Sequence, residues 1–285
     1  MSGLSEQLLN VHGVELCVET FGDPADPPIL LIHGAAASMD YWETAFCELL
    51  AAGPRYVVRY DHRDTGRSVS YPPGKPGYTG TDLVRDPVGI LDALGIGRAH
   101  VAGLSMGGGI AQQLVLDFPD RVRSLTLIAT SPLGDDLPPA ADRIKAAFAT
   151  EATPTDWSDP DAAVDALIAA EKLYAGTLPY DEPARRALVR AMIARTTDLE
   201  SAMTNHWILP DDDTPPLRPR LGEIRVPVLV LHGTEDPLFP PAHGEALARE
   251  IPDARLVLLG GAGHELPEPT WDTAVPAILA VTSAG

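Results

Sequence analysis

The sequence predicts an α/β protein built on a parallel sheet with helices on both faces, and three observations predict it. Strand-like apolar runs alternate with helix-period runs from residue 29 to residue 129. The strand-like runs are continuously apolar rather than alternating, as expected of strands covered on both faces. The alternation stops between residues 133 and 221, where only helical patterns occur, and then resumes to the end of the chain.

Taken in order, residues 8–20 alternate as a hairpin should, with Asn10, His12 and Gly13 near the turn and Val14, Leu16 and Val18 on one face. Residues 21–28 form a loop by their glycine and proline content. A buried strand over 29–32 ends in His33-Gly34-Ala35-Ala36-Ala37-Ser38, small residues that leave room for backbone N–H groups to face a ligand. Residues 41–52 have a helical pattern, 55–60 a strand, and 61–68 a polar loop. A helix over 81–94, apart from Pro87, closes at Gly95 and Gly97. The strand 100–104 follows, then a helix marked by Ile110, Leu114, Val115 and Phe118 and stopped by Pro119, then a strand over 122–129.

In the interruption, Pro160 sits at a first helical position behind Ser158 and Asp159, with Val164, Leu167 and Ile168 on one face and Gly176 past the end. A second helix over 183–196 shows Leu188, Val189, Met192 and Ile193. Proline-rich stretches at 132–139 and 210–219 bracket the block. These boundaries predict a core of residues 1–132 and 222–285 with a helical cap, 133–221, lying over the C-terminal edge of the sheet. Strand 226–231, helix 242–250, strand 255–259 and a helix near 270–281 complete the core.

The chain has 285 residues, 45% of them hydrophobic, enough for one large α/β domain with an insertion. Its 40 Asp and Glu against 21 Lys and Arg give a formal charge of −19, which disfavours nucleic acid and anionic membranes as partners. Residues 1–6 lack the basic and apolar segments of a signal peptide, and no run is long enough to span a bilayer, so a cytoplasmic location is expected. Cys17 and Cys47 are too few for a disulfide framework and lack metal-ligand spacing, so both are expected to be reduced and structural and no metal site is expected. The oligomeric state leaves no mark in the sequence.

The chemistry centres on Gly103, Ser105 and Gly107. They fit G-x-S-x-G, in which a serine occupies a strained turn between strand and helix and its neighbours must be nearly side-chain-free. The pattern arises by accident in roughly one chain in ten of this length, so the strand before it and the helix after it carry the weight. A serine hydroxyl needs a base, and the base needs an orienting group. Asp236 follows the penultimate strand and His264 the last, so both fall at the rim where a parallel sheet gathers its strand ends. Glu235 adjoins the aspartate, and Asp135 or Asp136 could serve from the preceding strand's loop. The developing oxyanion needs two donors, the N–H of Met106 after the serine and most simply that of Ala35, each supplying ~3 kcal/mol. His33, His62, His232 and His243 read as mostly structural; His206, beside Trp207, could touch substrate but reads first as a packed surface histidine.

Through His33-Gly34, residues 103–107, Asp236 and His264 the chain resembles the α/β-hydrolase family over nearly its whole length, with the family's chain order of serine, aspartate, histidine. The loops 60–68 and 22–27 look most like those of aclacinomycin methylesterase-type members. The resemblance implies an eight-stranded, mostly parallel sheet with a helical cap, and cofactor-free hydrolysis of a small-molecule carboxylic ester, with a polyketide methyl ester as one candidate. Aromatic and apolar residues Trp42, Trp157, Tyr174, Met203, Trp207 and Leu238 are candidates to line the substrate pocket. Carbon–carbon bond hydrolases, lactonases and perhydrolases share the triad. A non-catalytic ligand-binding protein on the same fold is the alternative of another class, which covalent labelling by a fluorophosphonate would discriminate. A proline iminopeptidase needs an acidic grip on a free amine, and none is identified.

Overall fold

A computed structural model describes residues 6–149, 155–210 and 215–283. Eight strands form one sheet: β1 (Gln7–Val11), β2 (Val14–Phe21), β3 (Pro28–Ile32), β4 (Tyr56–Tyr60), β5 (Ala99–Leu104), β6 (Val122–Ile128), β7 (Val228–Gly233) and β8 (Arg255–Leu259). Their spatial order is β1-β2-β4-β3-β5-β6-β7-β8. The hairpin β1–β2 is antiparallel and joins β4 antiparallel, whereas β3 to β8 pair parallel to their neighbours.

The continuous apolar runs are explained by a core on each face of the sheet. Side chains alternate across a strand, so Leu30, Ile32, Val101, Leu125 and Val230 enter one core while Ile29, Leu31, Ala102, Ile128 and Leu231 enter the other. Helices α2 (Gly80–Ala93), α3 (Met106–Asp117) and α8 (Ala242–Glu250) contribute buried residues to the first core, and α1 (Thr44–Ala52) and α9 (Trp271–Val281) to the second.

Two sequence expectations need adjustment. The helix expected over 41–52 begins at Thr44, because Met39–Tyr41 make a separate tight turn and the Trp42 carbonyl accepts from Arg59 and the Cys47 thiol instead of a helical N–H. Helix α2 runs through Pro87 unbroken. It is held at its start by a reciprocal cap between Thr79 and Asp82, and along its length by burial of Leu83, Val84, Val88 and Leu91. Packing of that face offsets the missing donor.

Between β6 and β7 the described residues contain helices α4 (Asp142–Ala149), α5 (Pro160–Tyr174), α6 (Glu182–Arg195) and α7 (Leu199–Thr204) and no strand. Asp159 caps α5 by accepting from the N–H groups of Asp161 and Ala162, with Pro160 at the first position as the sequence predicts. Helices α5 and α6 share a small core of Val164, Leu167, Ile168, Val189 and Met192. Ionic contacts tie this segment to the sheet: Arg195, at the end of α6, meets Asp61 at 2.7 Å and Asp40 at 2.8 Å. No helix among the described residues is long and apolar enough to cross a membrane.

Candidate active site

Ser105 stands between the end of β5 and the start of α3 with φ 55° and ψ −119°, a backbone region costly for any residue with a Cβ. The glycines around it are required by contact. A Cβ on Gly103 would lie 2.2 Å from the Gly107 carbonyl oxygen, and one on Gly107 would lie 2.2 Å from that of Ile32. The turn is closed by the Gly108 N–H donating to the Ser105 carbonyl at 2.9 Å, and that carbonyl also accepts from the Thr130 hydroxyl at 2.8 Å. The hydroxyl of residue 105 is thereby presented at the rim formed by the C-terminal ends of the parallel strands.

The loops after β7 and β8 bring the two expected partners to that hydroxyl. His264 Nε2 lies 2.8 Å from Ser105 Oγ, and its Nδ1 lies 2.8 Å from Asp236 Oδ2. The other carboxylate oxygen, Oδ1, accepts from the N–H groups of Leu238 and Phe239 at 2.9 and 2.8 Å. Asp236 is therefore oriented by the backbone and left with one oxygen for the imidazole. His264 is fixed in turn by its own N–H, which donates to the Tyr174 carbonyl at 2.9 Å, and by the rings of Phe239 and Tyr174 at 5.4 and 5.9 Å. The rival acids point elsewhere: Glu235 accepts from Thr177, and Asp136 pairs with Arg218.

Gly34 packs directly beneath the serine, since a Cβ there would sit 3.3 Å from that of Ser105. Ala35 is the next residue after this glycine, and Met106 the next after the serine. Ala36 adopts φ 60°, and its N–H donates to His206 Nδ1 at 2.9 Å. His206 is only 7% exposed, so the expectation of a surface histidine is wrong. Residues 205 and 206 turn inward because Asn205 is fully buried, donating to Asp64 at 2.9 Å and accepting from the Gly74 N–H at 2.8 Å. No sequence pattern announced this pairing, which spans 170 positions.

Beside Ser105 and Met106 lies a cavity of about 340 Å³ whose apolar wall includes Leu83, Val84, Ile110, Leu209, Leu217 and Phe239. None of the residues proposed from the sequence as substrate contacts lines it. Trp42 is fully inside the sheet core, stacked on Phe46 at 5.8 Å. Trp157 and Met203 pack against the α5–α6 core, and Trp207 faces outward at 59% exposure. Leu238 enters the site through its N–H on Asp236, and Tyr174 through its contacts with His264. Aromatic residues were conspicuous in the sequence for packing, while the lining of this cavity is mostly aliphatic and comes from widely separated parts of the chain.

His33, His62, His232 and His243 are all buried. Burial pushes His33 and His62 down to about 3, so both stay neutral, and His62 Nε2 meets the His33 carbonyl at 3.0 Å. His232 meets the Phe239 carbonyl at 2.7 Å, and His243 lies between Ser131 and the Pro138 carbonyl. Among the described residues no group of three His, Cys, Asp or Glu is placed to hold a metal ion.

Comparison with known proteins places the chain among relatives. The chain is 35% identical to the rhodomycin D methylesterase DauP of Streptomyces sp. (strain C5), over 98% of each chain. It is 33% identical to the rhodomycin D methylesterase DnrP of Streptomyces peucetius, over 95% of this chain and 96% of that one. Among solved structures, the enol-lactonase of Burkholderia xenovorans LB400 superposes with a TM-score of 0.74 at 28% identity, covering 97% of this chain and 100% of the other. A sequence model described as the alpha/beta hydrolase fold matches residues 27–268, and with near full-length relatives at this level of identity the chain belongs to the α/β-hydrolase family.

Proposed function

We propose that the protein is a serine ester hydrolase that works through an acyl-enzyme, with Ser105 as nucleophile, His264 as base and acid, and Asp236 as the group that orients it. The observation that carries this reading is the continuous set of 2.8 Å contacts from Ser105 Oγ through His264 to Asp236. His264 accepts the hydroxyl proton as Ser105 Oγ bonds to the ester carbonyl carbon. The N–H groups of Ala35 and Met106 receive the negative charge that gathers on the carbonyl oxygen. Collapse breaks the bond to the alcohol, which leaves with the proton held by His264. Water, deprotonated by the same imidazole, then cleaves the acyl-enzyme and regenerates the serine.

Residues 133–221 act as a cap in this reading, supported by the Leu209 and Leu217 contributions to the cavity wall and by the His264 N–H bonded to Tyr174. The cavity's apolar lining suits an uncharged, largely apolar ester, and the two methylesterase relatives favour a methyl ester of a polycyclic polyketide. A lactone, which is a cyclic ester, is the second reading, favoured by the likeness to the enol-lactonase.

Replacing Ser105 by Ala is expected to lower kcat for a short p-nitrophenyl ester by about 10⁴-fold or more with the thermal midpoint no lower than that of the wild type. Undiminished turnover would exclude Ser105 as the nucleophile. Parallel rates on polyketide methyl esters and on simple lactones decide between the two substrate classes.

A further inference from the structure

The loop after β3 has a partner outside itself. Ala36 lies in the left-handed region at φ 60°, where a residue with a Cβ is disfavoured, and its N–H is met by a contact from another segment. His206 supplies it from the segment between β6 and β7, at 2.9 Å from the Ala36 N–H. A backbone donor can meet only an unprotonated ring nitrogen, so the proton of His206 sits on Nε2, which donates to the Arg63 carbonyl at 2.9 Å. Both ring nitrogens are thus engaged, each with a different loop of the sheet rim.

We propose, resting on the ester-hydrolase reading, that His206 is a positioning residue for the oxyanion site: its Nδ1 fixes the Ala35–Ala36 peptide and so keeps the adjoining Ala35 N–H turned to the oxygen that becomes negative during acylation.

Three further observations support this role. Asn205, the preceding residue, is locked into the core by Asp64 and Gly74, so the imidazole arrives at Ala36 from a rigid base. The far end of the same loop is held from the same segment, because the Met39 N–H donates to Asp61 Oδ1 at 2.8 Å and Asp61 is paired with Arg195 of α6. The surroundings of the ring keep it neutral. Burial pushes its pKa down, opposed by the bond to the Arg63 carbonyl and by the carboxylate of Asp64, which is itself occupied by the Tyr78 hydroxyl at 2.7 Å and by Asn205. His62 and Tyr78 face the ring edge-on at 5.8 and 6.3 Å.

Two amides separate the ring's two functions. In His206→Asn the side-chain oxygen falls near the place of Nδ1 and still accepts from Ala36. In His206→Gln the amide falls near the place of Nε2 and keeps only the contact with Arg63. With the full chain and p-nitrophenyl butyrate, the Asn variant is expected to stay within about threefold of wild-type kcat, and the Gln variant to lose about tenfold or more at little-changed KM. Affinity for benzeneboronic acid, whose adduct on Ser105 places an oxygen in the oxyanion site, should fall in parallel with kcat, and the two variants should have similar Tm.

Equal kcat in the two variants overturns the proposal. So does a loss confined to KM, or a kcat loss that follows Tm while boronate affinity is unchanged. Wild-type turnover that disappears in Ser105→Ala is the separate control: its absence refutes the ester-hydrolase reading, while its presence beside an unaffected Gln variant refutes only the role of His206. If butyrate is not turned over, boronate affinity across the two variants still decides that role.

Discussion

At Gly107 the requirement for hydrogen in place of a side chain is steric. An added methyl carbon would lie 2.2 Å from the Ile32 carbonyl oxygen and 2.5 Å from that of His33, both backbone atoms that cannot step aside without moving β3. Gly107→Ala is therefore expected to destabilise the fold by about 3 kcal/mol, read from the urea midpoint, and to damage turnover at the same time. Gly109, five residues from the serine's strand, has nothing within 4 Å of the same position, so its alanine variant is the control that should leave stability nearly intact. The two glycines look alike in the sequence, and only the three-dimensional approach of β3 separates them. Asp236 shows the opposite case. Its position after the penultimate strand identified it, and the structure added the reason it is held so firmly, two backbone N–H groups on the oxygen that His264 does not use.

Among the elements, the clamp between α6 and the loop after β4 lends itself to measurement. Asp61 has a side chain that is 0% exposed, and Arg195 one that is 10% exposed. Burial raises the pKa of Asp61, opposed by the hydrogen bonds and charge of Arg195. Removing the cation strands a buried carboxylate, so Arg195→Met is expected to cost about 3–5 kcal/mol, and adding Asp61→Asn should recover part of it. Chemical denaturation of the two single variants and the double variant checks this. The alternation of strands and helices was legible in the sequence because inner strands such as β3, β5 and β7 are buried on both faces and the helices between them are punctuated by glycine, proline or a cap. The serine, aspartate and histidine were legible because a parallel sheet collects its strand ends on one rim. What the sequence did not disclose is the seating of α5, α6 and the 205–207 turn against the core. Pairs such as His206 with Ala36 and Arg195 with Asp61 obey no local period, and charge at both ends fits a solvated face equally well. The lining of the cavity beside Ser105 was hidden for the same reason: Trp157 and Met203 pack within the helical segment, while Leu83 and Phe239 reach the cavity from the core.

For the molecule as a whole, five histidines whose pKa burial lowers, His33, His62, His100, His206 and His232, make stability depend on pH. Burial depresses His33 and His62 to about 3 and His100 to about 4, against 6.5 for the exposed group. The unfolded chain binds their protons first, so the stabilisation is complete above about pH 6.5 and is lost as the pH falls towards 4, by up to about 1.4 kcal/mol per pH unit for each ring. Glu43 and Glu265, raised by burial, oppose this only as the carboxylate range is approached. Urea midpoints should therefore drop between about pH 7 and about pH 5.5, and a flat profile would contradict the burial of these rings. The left-handed backbone at residue 105 carries a different cost for the entire fold. A glycine at that position would sit there without penalty, so Ser105→Gly is expected to survive heating to a higher temperature than the wild type while hydrolysing nothing. If so, catalysis holds the wild type below the heat tolerance its packing would permit, and a calorimetric scan of the inert variant measures the gap in degrees.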